Sequence, residues 1–285
     1  MLKDKILLNV YKKMNKVLGG RGLTKYPLIV SIKNFALANL RSEYAYVQGH
    51  KMILDSKDCL QLSINEIYEP AETNIIKQEI KKGDTVLDIG ANIGYYTLLM
   101  ADLVGDNGKV FAFEPEPYNF ELLRKNIEIN TYKNVILEKK AISNCNKRSN
   151  LYLSRDNTGM HRLNESKYCE KHIEVDVVKL DDFFCNDELI NKIKFIKIDV
   201  EGSELDVLQG MESILEKNNQ ITILLEFIPE HLMEHGSNPI HVIEFLLDRN
   251  FRLYTIVDNK KEQVDESNVK EILNYSGRSL LCVRA

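Results

Sequence analysis

From about residue 85 onward, short apolar runs alternate with amphipathic stretches of helical length, and this alternation limits the chain to few folds. The segments TVLDIG (85–90), KVFAFEP (109–115), NVILEKKAIS (134–143), IKFIKID (193–199), QITILLEF (220–227), FRLYTIV (251–257) and SLLCVRA (279–285) read as strands. The intervening segments, such as YNFELLRKNIEIN and ELDVLQGMESILEK, read as helices, opened by Pro117 and capped by Ser203 respectively. Strands separated by helices of this length pair in parallel and bury both sheet faces. The expected fold is therefore α/β, a Rossmann-like doubly wound sheet. RSNLYLS (148–154) and HIEVDVVKL (172–180) alternate like an inserted antiparallel pair. Upstream, residues 45–64 read as a hairpin turning near Gln48-Gly49.

Composition enters as a set of exclusions. The chain has 285 residues, of which 44% are hydrophobic and 28% charged, values that suit a globular core and rule out wholesale disorder. No apolar run approaches the ~20 residues of a membrane-spanning helix. Five widely spaced cysteines without a Cys-x-x-Cys indicate neither a disulfide framework nor a thiolate zinc site, so a reducing, cytoplasmic location is expected.

The first strand runs into Asp88-Ile-Gly90-Ala-Asn92-Ile-Gly94, where a doubly wound sheet places its ligand. Glycines there let the backbone turn tightly and approach a ligand. Twenty residues beyond Gly94, Glu114 closes the second strand, placed to accept hydrogen bonds from a ribose diol. Asn92 breaks the Gly-x-Gly-x-x-Gly dinucleotide pattern, and no Gly-x-x-x-x-Gly-Lys-Ser/Thr phosphate loop is present. A carboxylate at Asp88 would repel a pyrophosphate but suits a ligand bearing an ammonium and a sulfonium. S-adenosylmethionine has both cations and no phosphate, and is the cofactor expected.

With VLDIGANIGYYTLLMA (86–101), VFAFEPEPYNFELLRKNI (110–127), IKIDVEGSELDVLQG (196–210) and LLEF (224–227), the chain resembles the class I S-adenosylmethionine-dependent methyltransferases, and more closely their FkbM-type group. The resemblance covers roughly residues 45–285. It implies a seven-stranded sheet whose last strand is antiparallel, and a methyl acceptor that is a hydroxyl, often on a sugar or secondary metabolite. It further implies that Asp88, Gly90, Asn92 and Gly94 hold the methionine moiety and Glu114 the ribose. The turn around Lys140-Ala141-Ile142 would flank the adenine, with Ala141 against it. The expected division is an N-terminal helical and hairpin extension over 1–70 and a methyltransferase domain over 71–285.

For the chemistry, Asp199-Val-Glu201-Gly-Ser203 leaves the fourth parallel strand, and alternation would put Asp199 and Glu201 on one side if the strand continued. Methyl transfer to an alcohol needs the acceptor oxygen held in line and its proton removed by a group of raised basicity. Glu201 or Asp199 is the expected base or orienting group, with Glu226 as a third candidate. The same acids before Ser203 could instead complement the following helix N-terminus. A third reading makes Asp199, Glu201 and Glu226 oxygen ligands of Mg²⁺, although no fixed ligand spacing supports it. No zinc motif is present, and no metal site is expected. His231 and His161 are candidate substrate contacts; one of Tyr95 and Tyr96 should line the pocket and the other pack in the core.

Residues 1–25 carry seven basic groups against Asp4 alone, so the rest of the chain is more acidic than the net −4 of the whole. An acidic body suits nucleic acid poorly, so no nucleic-acid partner is expected. Residues 2–18 have helical apolar spacing and would pack on the body or another subunit, or touch an anionic membrane surface. The leading reading is an O-methyltransferase acting on a sugar hydroxyl of a glycan, glycolipid or natural product. A methyltransferase of RNA or protein and a non-catalytic cofactor-binding module are the rivals.

Overall fold

The structure is a computed structural model that describes residues 43–65, 67–155, 157–165, 169–257, 260–265, 267–273 and 278–284. The helix expected over residues 2–18, and the basic segment 1–25 with it, lie outside the described residues. The chain divides into two compact units, Met1–Tyr68 and Glu69–Ala285.

In the first unit, strands β1 (Tyr44–Val47) and β2 (His50–Ile53) form an antiparallel hairpin. Gln48 and Gly49 turn it, with φ of 51° and 87°. Two consecutive positive φ values match the twist of a two-residue hairpin. Ala45, Val47 and Met52 point inward while Tyr46 faces solvent. The following segment is held by two aspartates. Asp55 accepts from the Lys57 and Cys59 amides, and Asp58 from those of Leu62 and Ser63.

The second unit carries β3 (Thr85–Ile89), β4 (Lys109–Phe113), β5 (Val135–Glu138), β6 (Ala141–Ile142), β7 (Lys147–Ser154), β8 (Cys169–Val178) and β9 (Ile193–Ile198). They are followed by β10 (Thr222–Phe227), β11 (Phe251–Val257), β12 (Lys260–Gln263) and β13 (Arg278–Arg284). Among the described residues the main sheet has the order β12-β11-β13-β10-β9-β3-β4-β5. Strands β5, β4, β3, β9 and β10 are mutually parallel. Strand β13 enters between β10 and β11, antiparallel to both, as the resemblance implies for the last strand. All seven expected strands are present. An eighth, β12, pairs antiparallel with β11 at the edge. Its sequence, KKEQ, is exposed throughout, so apolar alternation gives no sign of it.

Leu87, Ile89, Phe111, Phe113, Ile196, Ile198, Leu225 and Phe227 are buried together with Leu205, Leu208 and Ile243 of the covering helices. Each such side chain contributes about 1.5–3 kcal/mol through its removal from water. The expected third strand over 134–143 is divided. Strand β5 stops at Glu138, and Ala141–Ile142 pair instead with β8 in a separate sheet of order β6-β8-β7. Lys139 and Lys140 are the polar break between these two runs. The helix expected after Ser203 is also divided, into Glu204–Gln209 and Glu212–Lys217.

Candidate active site

The turn after β3 is built by close packing of backbone on backbone. Gly90 has φ 85°, and a Cβ there would lie 1.8 Å from the Asp199 carbonyl oxygen. The space freed by this glycine is filled by the backbone just after β9. The Gly90 and Ala91 amides both donate to the Phe113 carbonyl at 3.0 Å, which ties the turn to the end of β4. Asn92 adopts φ 50°, and its Oδ1 accepts from the Ile93 amide at 2.7 Å. Gly94 is the N-cap of the helix Tyr95–Val104.

This turn delivers the Asn92 amide to Glu114 Oε2 at 2.8 Å, while the Glu116 amide reaches Oε1, also at 2.8 Å. Both oxygens of Glu114 are therefore fixed by backbone, and each retains a lone pair for a further donor. Burial pushes the Glu114 carboxyl up to about 8. Ala141 is buried in β6, paired with Val177.

Asp88 sits within β3, fully buried. Its Oδ2 accepts from Thr97 Oγ1 at 2.5 Å, and its Oδ1 has no hydrogen-bond partner. Lys197, opposite it on β9, is buried and donates to Asp199 Oδ2 at 2.7 Å. The same ammonium lies 4.6 Å from the Tyr96 ring centre. Asp199, Asp88 and Glu69 together hold Lys197 charged against the cost of burial. Tyr96 donates to Glu69 Oε2 at 2.6 Å, and Tyr95 exchanges a hydrogen bond with Thr73 at 3.0 Å. Both tyrosines are buried. A small cleft opens between Glu69, Glu72, Lys197, Asp199, Glu226 and Ser279.

Strand β9 ends at Ile198, and Glu201 adopts φ 57°, so Glu201 is not aimed by strand alternation as the sequence reading supposed. A left-handed residue without glycine's freedom costs roughly 1–3 kcal/mol. Gly202 follows with φ 111°, and a Cβ there would lie 2.5 Å from the His231 carbonyl oxygen. That close approach brings the first turn of the helix Pro229–His235 onto the acidic loop. His231 Nδ1 stands 3.0 Å from Glu201 Oε2, without the alignment of a hydrogen bond, and Arg162 Nη2 lies 3.6 Å from the same oxygen. Arg162 is itself buried and spends its Nη1 on Glu234 at 2.6 Å.

Ser203 occupies the N-cap position of Glu204–Gln209, but its hydroxyl caps nothing. Glu204 instead ties down the preceding loop, its Oε1 accepting from the Gly202 amide at 3.0 Å. Burial raises Glu204 to about 7. Burial also raises Glu201, and lifts Glu226 well above the usual range with help from Asp199, Glu201 and Glu204. Five buried polar atoms without a hydrogen-bond partner crowd this loop: Glu201 Oε2, Ser203 Oγ, Glu204 Oε2, Glu226 Oε2 and His231 Nδ1.

The structure thus brings Glu201, Glu226 and His231 together, with Asp199 ion-paired beside them. His161 is not among them; its Nδ1 accepts from the Ser154 amide at 3.0 Å within the insert. Its neighbour Arg162 is the insert residue that reaches Glu201. The sequence reading missed Arg162, Glu69, Glu204 and Lys197. Only Lys197 left a signal, a cation between two isoleucines in a central strand.

The residues suit S-adenosylmethionine. Glu114 is a fixed acceptor with a lone pair left on each oxygen, as a diol would need, Asp88 Oδ1 is buried without a hydrogen-bond partner, and three carboxylates share one buried lysine. Strand order, the reversed β13 and this site define a class I S-adenosylmethionine-dependent methyltransferase domain. The methyltransferase FkbM domain family matches residues 88–253, and the chain belongs to that family. A protein-L-isoaspartate O-methyltransferase family also matches residues 33–141. Methyltransferase 1 of Beauveria bassiana is 26% identical over 145 residues, spanning 45% of this chain and 58% of that protein. The hexuronic acid methyltransferase AglP of Haloferax volcanii is 27% identical over 168 residues, spanning 56% of this chain and 66% of that protein. The chain therefore spans less than two-thirds of the length of these curated relatives. No helix among the described residues is long and apolar enough to cross a membrane.

Proposed function

We propose that the protein is an O-methyltransferase whose acceptor is a sugar-containing molecule, methylated on oxygen. The observation that carries the reading is the pair of buried carboxylates at the carboxyl edge of the sheet, Glu201 facing His231 at 3.0 Å and Glu226 with an Oε2 that has no hydrogen-bond partner. S-adenosylmethionine supplies an electrophilic methyl group when bound. Glu114 would hold its ribose hydroxyls, and Asp88, Gly90, Asn92 and Gly94 would line its methionine end, with Ala141 beside the adenine.

On the acceptor side, Glu201 receives the hydroxyl proton. Burial raises its basicity, as general-base work at neutral pH requires. Glu226 and His231 orient the acceptor, while Asp199 is engaged by Lys197. A sugar acceptor is supported by the hexuronic acid named for the Haloferax relative. The cleft beside Glu226, rich in carboxylates, also offers acceptors for hydroxyl donors.

Labelled methyl transfer from S-adenosylmethionine to uronic acid and neutral hexose glycosides tests this. Transfer to at least one sugar is expected, and Glu201→Gln should lower turnover about 10²–10⁴-fold while cofactor affinity by calorimetry stays unchanged. Transfer to RNA or protein alone would overturn the acceptor class, and full turnover in Glu201→Gln would overturn the base.

A further inference from the structure

We propose that Glu201, Glu226 and His231 form a binding site for one divalent transition-metal ion. One ligand atom from each of the three lies within 4.8 Å of the other two. They come from three separate elements: the loop after β9, the end of β10 and the first turn of the helix Pro229–His235. The separation of 3.0 Å between His231 Nδ1 and Glu201 Oε2 is that of two neighbouring ligands on one ion. Two donors at about 2.1 Å and about 90° around a shared centre lie roughly 3 Å apart.

Independent support comes from polar satisfaction. Buried polar side-chain atoms in folded proteins are nearly always hydrogen-bonded. Here Glu226 Oε2 is buried without any such bond, while Glu201 Oε2 and His231 Nδ1 face each other at 3.0 Å. The nearby cations do not supply what is missing. Arg162 stays 3.6 Å from Glu201 and is committed to Glu234, and Lys197 is committed to Asp199. A dication placed among the three would satisfy all of these atoms and offset two carboxylate charges. One imidazole beside two carboxylates favours a first-row transition ion such as Mn²⁺ over Mg²⁺ or Ca²⁺. Three protein ligands leave positions open for oxygen ligands, and a hydroxyl bound to such an ion gives up its proton more readily, to the Glu201 oxygen that does not hold the ion. That consequence rests on the function proposed above; the binding of the ion does not.

Mn²⁺ uptake by the full chain, stripped of metal and followed through the resonance signal of free Mn²⁺, tests the site. One ion per chain is expected, with affinity at least tenfold weaker in Glu226→Gln and His231→Gln. It should be unchanged in Glu230→Gln, which alters an exposed carboxylate nearby. Mn²⁺ should raise the Tm of the unaltered protein and not that of Glu226→Gln, a nearly isosteric change. No uptake, or equal uptake by all variants, overturns the proposal. Cofactor affinity measured in parallel separates the two readings. A protein that binds cofactor and transfers methyl without taking up Mn²⁺ overturns the ion site alone. One that takes up the ion with the expected variant pattern but methylates no sugar overturns the acceptor reading alone.

Discussion

Two carboxylate groups at the carboxyl edge of one sheet are built in opposite ways. At the end of β4, both oxygens of Glu114 accept backbone amides, from Asn92 and Glu116. In the loop after β9 Glu201 faces His231 and Arg162, and at the end of β10 Glu226 keeps a buried oxygen without a hydrogen-bond partner. The first group is held by the fold itself and is set before any ligand arrives. The second leaves its hydrogen-bonding capacity open and is completed by what binds. Lys197 stands where the two meet, paired with Asp199 on one side and facing Asp88 on the other.

Removing that junction should have the largest effect on stability. Lys197→Met leaves Asp88, Asp199 and Glu69 without their shared cation, and breaking a buried charge group of this kind costs about 3–5 kcal/mol. Urea unfolding would report it; a loss below about 1 kcal/mol would mean that the two carboxylate groups are not electrostatically joined. Gly90→Ala comes next. The new methyl collides with the Asp199 carbonyl and must adopt positive φ, for an expected loss of about 2–4 kcal/mol. An unchanged Tm would show that the turn after β3 is not braced by the loop after β9.

Glu114→Gln sharpens the comparison on the cofactor side. It replaces an acceptor oxygen that is ionised only above about pH 8, so cofactor affinity by calorimetry at about pH 9 should fall about tenfold, in line with about 1.5 kcal/mol for one charge-assisted hydrogen bond. Affinity within twofold of the original would remove Glu114 from the ribose site. The smallest effect is on pH dependence. The folded-state value near 8 lies above that of an unfolded glutamate, so the native state binds the extra proton. The contribution of Glu114 to stability is then fully present below about pH 4.5 and is lost as pH rises through 8. Tm of the unaltered protein should slip by a few degrees between pH 5 and pH 8, while Glu114→Gln should lack this part of the slope. Parallel curves for the two would refute it.

The fold was legible because its cause is local. Short, mostly apolar runs such as VLDI and FIKI, spaced by segments of helical length, read as central strands, and the glycine turn with Glu114 twenty residues on follows from strand and helix lengths. The acceptor side was legible only as residue types. Nothing local says that Glu201 leaves the strand in a left-handed conformation, or that Gly202 lets His231 approach. Those follow from packing between β9, β10 and a helix some thirty residues downstream. Arg162 was hidden for the same reason, since a polar insert does not reveal which of its charges will fold inward. Strand β12 was invisible because an edge ribbon needs only backbone pairing.

The place of β13 has a consequence for how the protein is made. Strands β10 and β11 have no hydrogen bonds to each other and join only through β13, which follows both in the chain. While a ribosome is still producing residues 251–277, the ribbon of β11 and β12 has no edge to dock on. The unfinished sheet meanwhile exposes the unpaired side of β10, an apolar strand edge of the kind that chaperones cover and aggregates exploit. Closure waits for one late segment, so shortening or weakening β13 should show first as poor yield of soluble protein rather than as altered chemistry.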